Sequence, residues 1–417
     1  MTIKHLYPSQ RPSLDLNFAR TKRLDPRVDF ERFSVGTYVG NDGLIKTAVD
    51  HEPRFDHDPV TGESLGLLIE EDRTNLVDNS IPIDFSFYEW RTIDGTNTAN
   101  SATSPDGSST AAKFVSTSGQ TNIRQYIPQT AVVSGNTYVA SLFVKANPYS
   151  YFVVSKTGAS DISGTQSSTF NVRFDLNAGT TDGLGSTDSW IEDYGNGWYR
   201  CSAAFIANSN TNAVIIFYPK NSSYDSLTGD GVSGFYFWGG VIEAGSFPTS
   251  YIPTSGSTVT RAADVTSITG NNFSSWYNQD EGTFYSKGDL TYSYSGSTTF
   301  RAILVGGTFP SRRWSWATIE GTNRISAATD GMEHANFYTN MSRNIPNNFN
   351  IAQAIKNTAT TNVSSAADGV IKGSLTGFSS HTISSILIGH NSFTGHISRL
   401  TYYPTRLSDT ILQNLTL

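Results

Sequence analysis

Hydrophobic and polar residues alternate with a period of two over much of this chain. In 170–176, Phe170, Val172, Phe174 and Leu176 share one side and Asn171, Arg173 and Asp175 the other. That pattern predicts an antiparallel strand with one buried and one wet face. Tyr199, Cys201, Ala203 and Phe205 alternate with Arg200, Ser202 and Ala204 in the same way. The runs 138–145 (YVASLFVK) and 213–218 (AVIIFY) are apolar on both sides, as strands in the middle of a sandwich are. A further apolar run, 235–243 (FYFWGGVIE), contains Gly239-Gly240 and predicts a β-bulge or a close backbone approach.

Turn sequences such as Pro105-Asp106-Gly107, Ser134-Gly135-Asn136 and Asn196-Gly197 separate these runs. Many short strands with polar turns predict sandwiches or jelly rolls. The pattern supports one helix, at the end of the sequence. There Ser408 is an N-cap, Asp409 lies in the first turn and Leu407 can staple onto Leu412. Ile411, Leu412 and Leu415 form its apolar stripe. No repeat of fixed period is present, so a β-helix or blade array is not expected.

Composition divides the chain of 417 residues into three blocks. Residues 1–79 are the most charged, 80–262 form a first strand-rich block, and 263–417 form a second that ends in the helix. The Pro/Ser/Thr-rich stretch 247–257 (FPTSYIPTSGS) reads as an extended connector. Only 16% of residues are charged, 12% are aromatic and the net charge is −7, which argues against long disorder and against sequence-independent nucleic-acid binding. No apolar run approaches the roughly 18 residues of a membrane span, and the first twenty residues lack the apolar core of a signal peptide. Cys201 is the single cysteine, so no intrachain disulfide is expected. It reads as inert core rather than as a nucleophile.

Several groups carry candidate chemistry. Trp190, Tyr194, Trp198 and Trp238 can form a sugar-stacking platform, because pyranose C–H faces pack on aromatic rings, or they can fill the sandwich core. Trp314 and Trp316, next to Arg312 and Arg313, read either as an exposed contact or as the buried side of a strand. Asp58-Pro59-Val60-Thr61-Gly62 is turn chemistry, and the surrounding Asp56, His57 and Glu63 lack the spacing of a Ca²⁺ loop. Asp225 and Asp230 bracket a loop that is a weak candidate for structural calcium. His381, His390 and His396 do not define a metal site. Arg20, Lys22, Arg23 and Arg27 form a basic cluster, and Glu63, Glu70, Glu71 and Asp72 an acidic one; together they suit either a docking interface or a solvated surface. No hydrolase, zinc-protease or phosphate-loop motif is present, and no cofactor is expected.

Three stretches resemble modules of tailed-bacteriophage virion proteins. Residues Ser13–Leu76 resemble an N-terminal module of such proteins. Gly234–Val265 (GFYFWGGVIEAGSFPTSYIPTSGSTVTRAADV) resembles the segment that closes a carbohydrate-binding-module-like jelly roll. Phe393–Thr416 (FTGHISRLTYYPTRLSDTILQNLT) resembles the last strand and helix of a concanavalin/laminin-G-like sandwich. The resemblance implies an all-β protein with an N-terminal attachment or oligomerisation module (1–79), a jelly roll (80–262) and a concanavalin-like sandwich (263–417). It implies a non-enzymatic protein on the virion surface, assembled in the host cytoplasm. That protein would be a tail fibre or spike that attaches to host glycans, or a head fibre or capsid decoration protein. A polysaccharide depolymerase is a minor alternative. The partners expected are other virion proteins (capsid, portal or tail), a second and third copy of the chain as a trimer, and a host-surface glycan, with neither nucleic acid nor membrane insertion. The basic cluster at Arg20–Arg27 is the candidate attachment surface.

Overall fold

The computed structural model describes residues 8 and 10–417, apart from 157–160, 166–168, 184–187, 292–300, 307–313, 319–324, 330–331, 339–346, 357–361, 377–381 and 391–392. Among the described residues, 53% of the chain is strand and 5% helix, which makes it all-β. Every ladder between named strands is antiparallel among the described residues. No helix there is long and apolar enough to cross a membrane.

The middle of the chain forms a jelly roll of two facing sheets. One contains Ile162–Gly164, Trp198–Ala207, Thr137–Asn147, Gly234–Ala244, Ala111–Ser116 and Gly95–Ala102, in that spatial order. The other runs Thr180–Gly183, Asn171–Asp175, Tyr151–Lys156, Ile215–Lys220, Arg124–Tyr126 and Thr92–Ile93. Between them lie Phe114, Leu142, Phe152, Phe174, Cys201, Phe205, Phe217 and Phe237. The alternation predicted for 170–176 is present: Val172 and Phe174 are buried while Asn171, Arg173 and Asp175 reach water. The thiol of Cys201 is buried among the core residues and its pKa is pushed up by that burial.

The second sandwich is assembled from both ends of the chain. Its larger sheet runs Val370–Thr376, Asn362–Ala367, Asn347–Lys356, Glu281–Leu290, Gly395–Tyr403, Ser64–Ile69 and Arg54–His57, and Leu14–Leu16 also pairs with Gly395–Tyr403. In the opposing sheet, Asp29–Glu31 pairs with Val265–Thr269. Leu14, Leu16, Phe18, Leu67 and Ile69 enter the same core as Phe284, Trp314, Trp316 and Tyr402. The compositional boundary at residue 79 is therefore no boundary in hydrogen bonding. The charged block supplies strands and core to the sandwich of 263–417, and the jelly roll is inserted between the two halves. At the end of the chain, the Ser408 side chain accepts from the Ile411 N–H and caps the helix Asp409–Leu415, with Leu407 and Leu412 in one cluster.

Two local features set the geometry between the sandwiches. Opposite Leu142, the pairing register shifts so that Ser141 faces Val241 and Phe143 faces Trp238, leaving Gly239-Gly240 as a bulge. The extra residue keeps Trp238 and Val241 on the same outer face despite their odd spacing. A Cβ on Gly240 would lie 2.5 Å from Cη2 of Trp90, so the position accepts no side chain. The second feature is the 247–257 stretch. It is extended, as its composition predicts, yet Phe247, Tyr251 and Ile252 are buried. It is a packed strap across the outer face of the jelly-roll sheet. It covers Arg200 and Ala204, positions expected to be wet: Phe247 packs on Ala204, and Arg200 Nη1 donates to the Thr249 carbonyl. Ser202, also expected to be wet, is buried and its hydroxyl pairs with that of Ser141.

Candidate functional site

The strap, the N-terminal strands and the second sandwich meet in a buried ion-pair network. Arg54 Nη1 lies 2.7 Å from Glu70, and Arg261 Nη1 lies 3.2 Å from the same carboxylate. Arg54 Nη2 also pairs with Asp264, which takes Arg32 Nη1 on its other oxygen at 3.1 Å. Ser250 donates to Glu70 through both its N–H and its hydroxyl. Burial opposes ionisation of Glu70, but Arg261, Arg54 and the Ser250 donors outweigh it and hold the carboxyl far below its ordinary range. The acidic cluster, read from the sequence as either a docking interface or a solvated surface, is thus partly internal: Glu70 joins segments of the chain to each other. Glu71 pairs with Arg73.

Beside this network, the seam between the sandwiches encloses a cavity of about 530 Å³. Its walls come from the hairpin Gly36–Val39/Ile45–Ala48, the loop after Arg54–His57, the strand Ser189–Asp193 with the following turn, the strap, and the ends of Glu281–Leu290 and Gly395–Tyr403. Tyr38, Tyr194 and Tyr251 contribute rings, and Asp58, Glu192 and Asp193 contribute carboxylates. Arg200, 3.9 Å from Glu192, contributes a cation. Tyr194 is half-buried and meets Phe143 edge-on at 4.8 Å, and burial pushes its phenol pKa up, so the hydroxyl stays neutral.

One wall of the cavity is held by His396. Its Nδ1 contacts both oxygens of Asp289 at 2.9 and 3.0 Å, and its Nε2 lies 3.0 Å from Asp56 Oδ2. Burial alone would lower the pKa of the ring; Asp289 and Asp56 override this and raise it to about 10. The imidazolium is therefore charged at neutral pH and clamps strands from both ends of the chain. Asp56 also accepts from the N–H of Val39 and of His57. The Asp58 loop is the predicted turn: Asp58 Oδ1 accepts from Val60 N, Thr61 N and Thr61 Oγ1. Among the described residues no three His, Cys, Asp or Glu side chains form a group able to hold a metal.

The candidate aromatic residues separate into two groups. Trp198, Trp238, Trp314 and Trp316 are core. Their indole N–H groups donate to Thr103 O, Thr110 Oγ1, Tyr277 OH and Gln353 Oε1 respectively, and their sealed rings offer no face to a sugar. Trp190 lines the cavity but is only 3% exposed, wedged among Val139, Ala204 and Phe247. Of the six aromatic candidates, only Tyr194 combines cavity lining with partial exposure. Asp230 spends its acceptors on Val232 N, Ser233 N and Ser233 Oγ, which lowers its pKa to about 2, and the Asp225 N–H donates to Asn221 Oδ1; both describe loop closure. Arg20, Lys22 and Arg23 are exposed, whereas Arg27 pairs with Asp25 at 2.8 Å. Arg312, Arg313 and His381 lie outside the described residues, as does the side chain of His390. The pattern gave no signal for Tyr38, Arg200 or Asp289, because they reach the cavity only through contacts between distant segments.

No family model and no curated protein matches the sequence. Among solved structures, the chain is similar to the Ruminococcus gnavus IT-sialidase CBM40, at 13% identity and a TM-score of 0.24 over 35% of this chain and 88% of that one. A likeness of that size carries no argument about function.

Proposed function

We propose that this protein is a non-enzymatic structural component on the surface of a tailed-phage particle, acting as a fibre or spike that attaches to host-surface glycans. The observation that carries glycan attachment is the seam cavity, where the Tyr194 and Tyr38 rings stand beside carboxylates. Such a wall suits a sugar, whose C–H faces pack on rings while its hydroxyls donate to carboxylates. Asp58, Glu192 and Asp193 would repel an anionic ligand, so the cavity suits an uncharged sugar. The virion assignment is supported by the resemblance of Ser13–Leu76, Gly234–Val265 and Phe393–Thr416 to phage modules. These three stretches are the ones joined by the Glu70–Arg261 contact and by the pairing of Ser64–Ile69 with Gly395–Tyr403. Weak single-site binding would be multiplied by a trimeric arrangement.

A second reading, a head fibre or capsid decoration protein, is favoured by Phe33, Val35 and Val49. These exposed apolar side chains lie on neighbouring segments that Arg32 ties together through Ser34 O and Val49 O. Imaging particles that carry the tagged chain separates head from tail, and absence of label from particles refutes both readings. Glycan-array binding that disappears in Tyr194→Ala supports the cavity. New reducing ends released from host polysaccharide would instead establish a depolymerase.

A further inference from the structure

The outer face of the jelly roll's second sheet carries a surface built differently from the seam. Tyr218, Val153 and Arg173 lie side by side across three adjacent strands. Arg124, on the next strand, holds its guanidinium 5.5 Å from the centre of the Tyr218 ring, and Lys220 Nζ lies 5.7 Å from that ring. Arg173 stands 4.9 Å over Tyr224, whose ring meets Tyr151 edge-on at 5.7 Å. At the sheet edge Arg91 lies 4.0 Å over Tyr126 and 4.3 Å over Phe87.

In their lack of an ion pair these arginines differ from the buried arginines of the seam. Arg32, Arg54, Arg73, Arg200 and Arg261 each sit against a carboxylate of the chain itself. Among the described residues, Arg91, Arg124 and Arg173 have no ion pair, and the Nε of each is withdrawn from solvent with no acceptor. The acids nearby do not satisfy them. Asp175 Oδ1 accepts from Asn177 N and Ala178 N, and Asp182, opposite Arg173 in register, is exposed and makes no ion pair with it. Asp225 acts on Lys220. Stacking occupies the face of a guanidinium and leaves its N–H edge free, in a planar fork that matches a carboxylate.

We propose that this face binds an acidic polysaccharide, with uronic-acid carboxylates taken by Arg124 and Arg173 and sugar rings lying along Tyr218 and Tyr151. The two arginines are three strand spacings apart, about 14 Å, so one chain of several sugar units bridges them where a single monosaccharide does not. The proposal rests on the reading of this protein as a glycan-attaching one and names a second ligand class for it. The charge of the ligand separates the two surfaces: uncharged sugar at the acidic seam, uronate at the arginine face.

The test is calorimetric titration of the full chain with oligogalacturonate and with its methyl ester, which removes the carboxylate charge and keeps the sugar. Binding of the acid, weaker in higher salt and absent for the ester, is the expected result. Arg124→Gln with Arg173→Gln should weaken it about tenfold or more, with only the small fall in melting temperature that losing two partly exposed cation–π contacts brings. Equal binding of acid and ester, or unaltered affinity in the double variant, overturns the assignment and leaves the seam untouched. Failure of the chain to bind any acidic or neutral glycan overturns this proposal together with the attachment reading on which it rests.

Discussion

Arg261 Nη1 lies 3.2 Å from the Glu70 carboxylate, and in sequence the whole jelly roll separates the two. The contact closes the insertion: the chain leaves the second sandwich just after Glu70 and re-enters it at Val265–Thr269, just after Arg261. Glu70→Gln should leave Arg54 and Arg261 buried without their shared anion and cost about 3–5 kcal/mol, read from urea unfolding. Since the carboxyl is held far below its ordinary 4.5, this contribution is complete above that pH and is lost only in stronger acid. An unchanged midpoint would show that the network contributes no stability.

The His396 clamp has the opposite pH signature. Its folded-state pKa is raised from 6.5 to about 10, so its contribution is fully present below 6.5 and is lost as pH rises through about 10. Melting temperature should fall over that window in the native chain and fall less in His396→Gln. Parallel curves for the two would refute an imidazolium held between Asp56 and Asp289.

Removal of residues 1–79 is expected to unfold the second sandwich rather than release a separate module. It deletes Leu14–Leu16, Arg54–His57 and Ser64–Ile69 from the larger sheet, and Leu16, Phe18 and Leu67 from the core. A fragment spanning 72–262 retains the jelly-roll core and should fold alone. Limited proteolysis and circular dichroism of the two fragments decide between these outcomes; a soluble, cooperative 80–417 would show that the paired strands are dispensable.

Trp190→Ala should cost about 3–5 kcal/mol, as expected for emptying a buried aromatic site between Val139, Ala204 and Phe247. Any loss of adsorption by this variant should therefore follow its loss of stability. Tyr194→Ala, at a half-buried position, should alter binding with a smaller change in melting temperature. A stable Trp190→Ala with weak adsorption would move Trp190 from the core to the binding surface.

Gly240→Ala tests the bulge. The added methyl would meet the Trp90 ring at 2.5 Å, and overpacking of this kind costs about 1–3 kcal/mol in thermal or urea unfolding.

Local patterning was enough to read the class of the fold, because a strand exposes its period in its own residues. The 170–176 run, the bulge at Gly239-Gly240 and the cap at Ser408 were all legible for that reason. The wet face expected for Arg200 and Ala204 was not there, because what covers it is a strap more than forty residues away in sequence. The tryptophans illustrate the same limit: a strand's two sides are distinguishable in sequence, but which side meets another layer is not.

What belonged to the sequence alone was therefore the repertoire of elements: antiparallel strands, polar turns, one capped terminal helix and an extended stretch at 247–257. The tertiary structure decided that both ends of the chain share one sheet, that Glu70 faces Arg261 instead of solvent, and that Tyr38, Tyr194 and His396 surround one cavity. Element formation depends on neighbours within a few residues, whereas desolvation, ion pairing and cavity shape depend on partners the chain brings together only on folding.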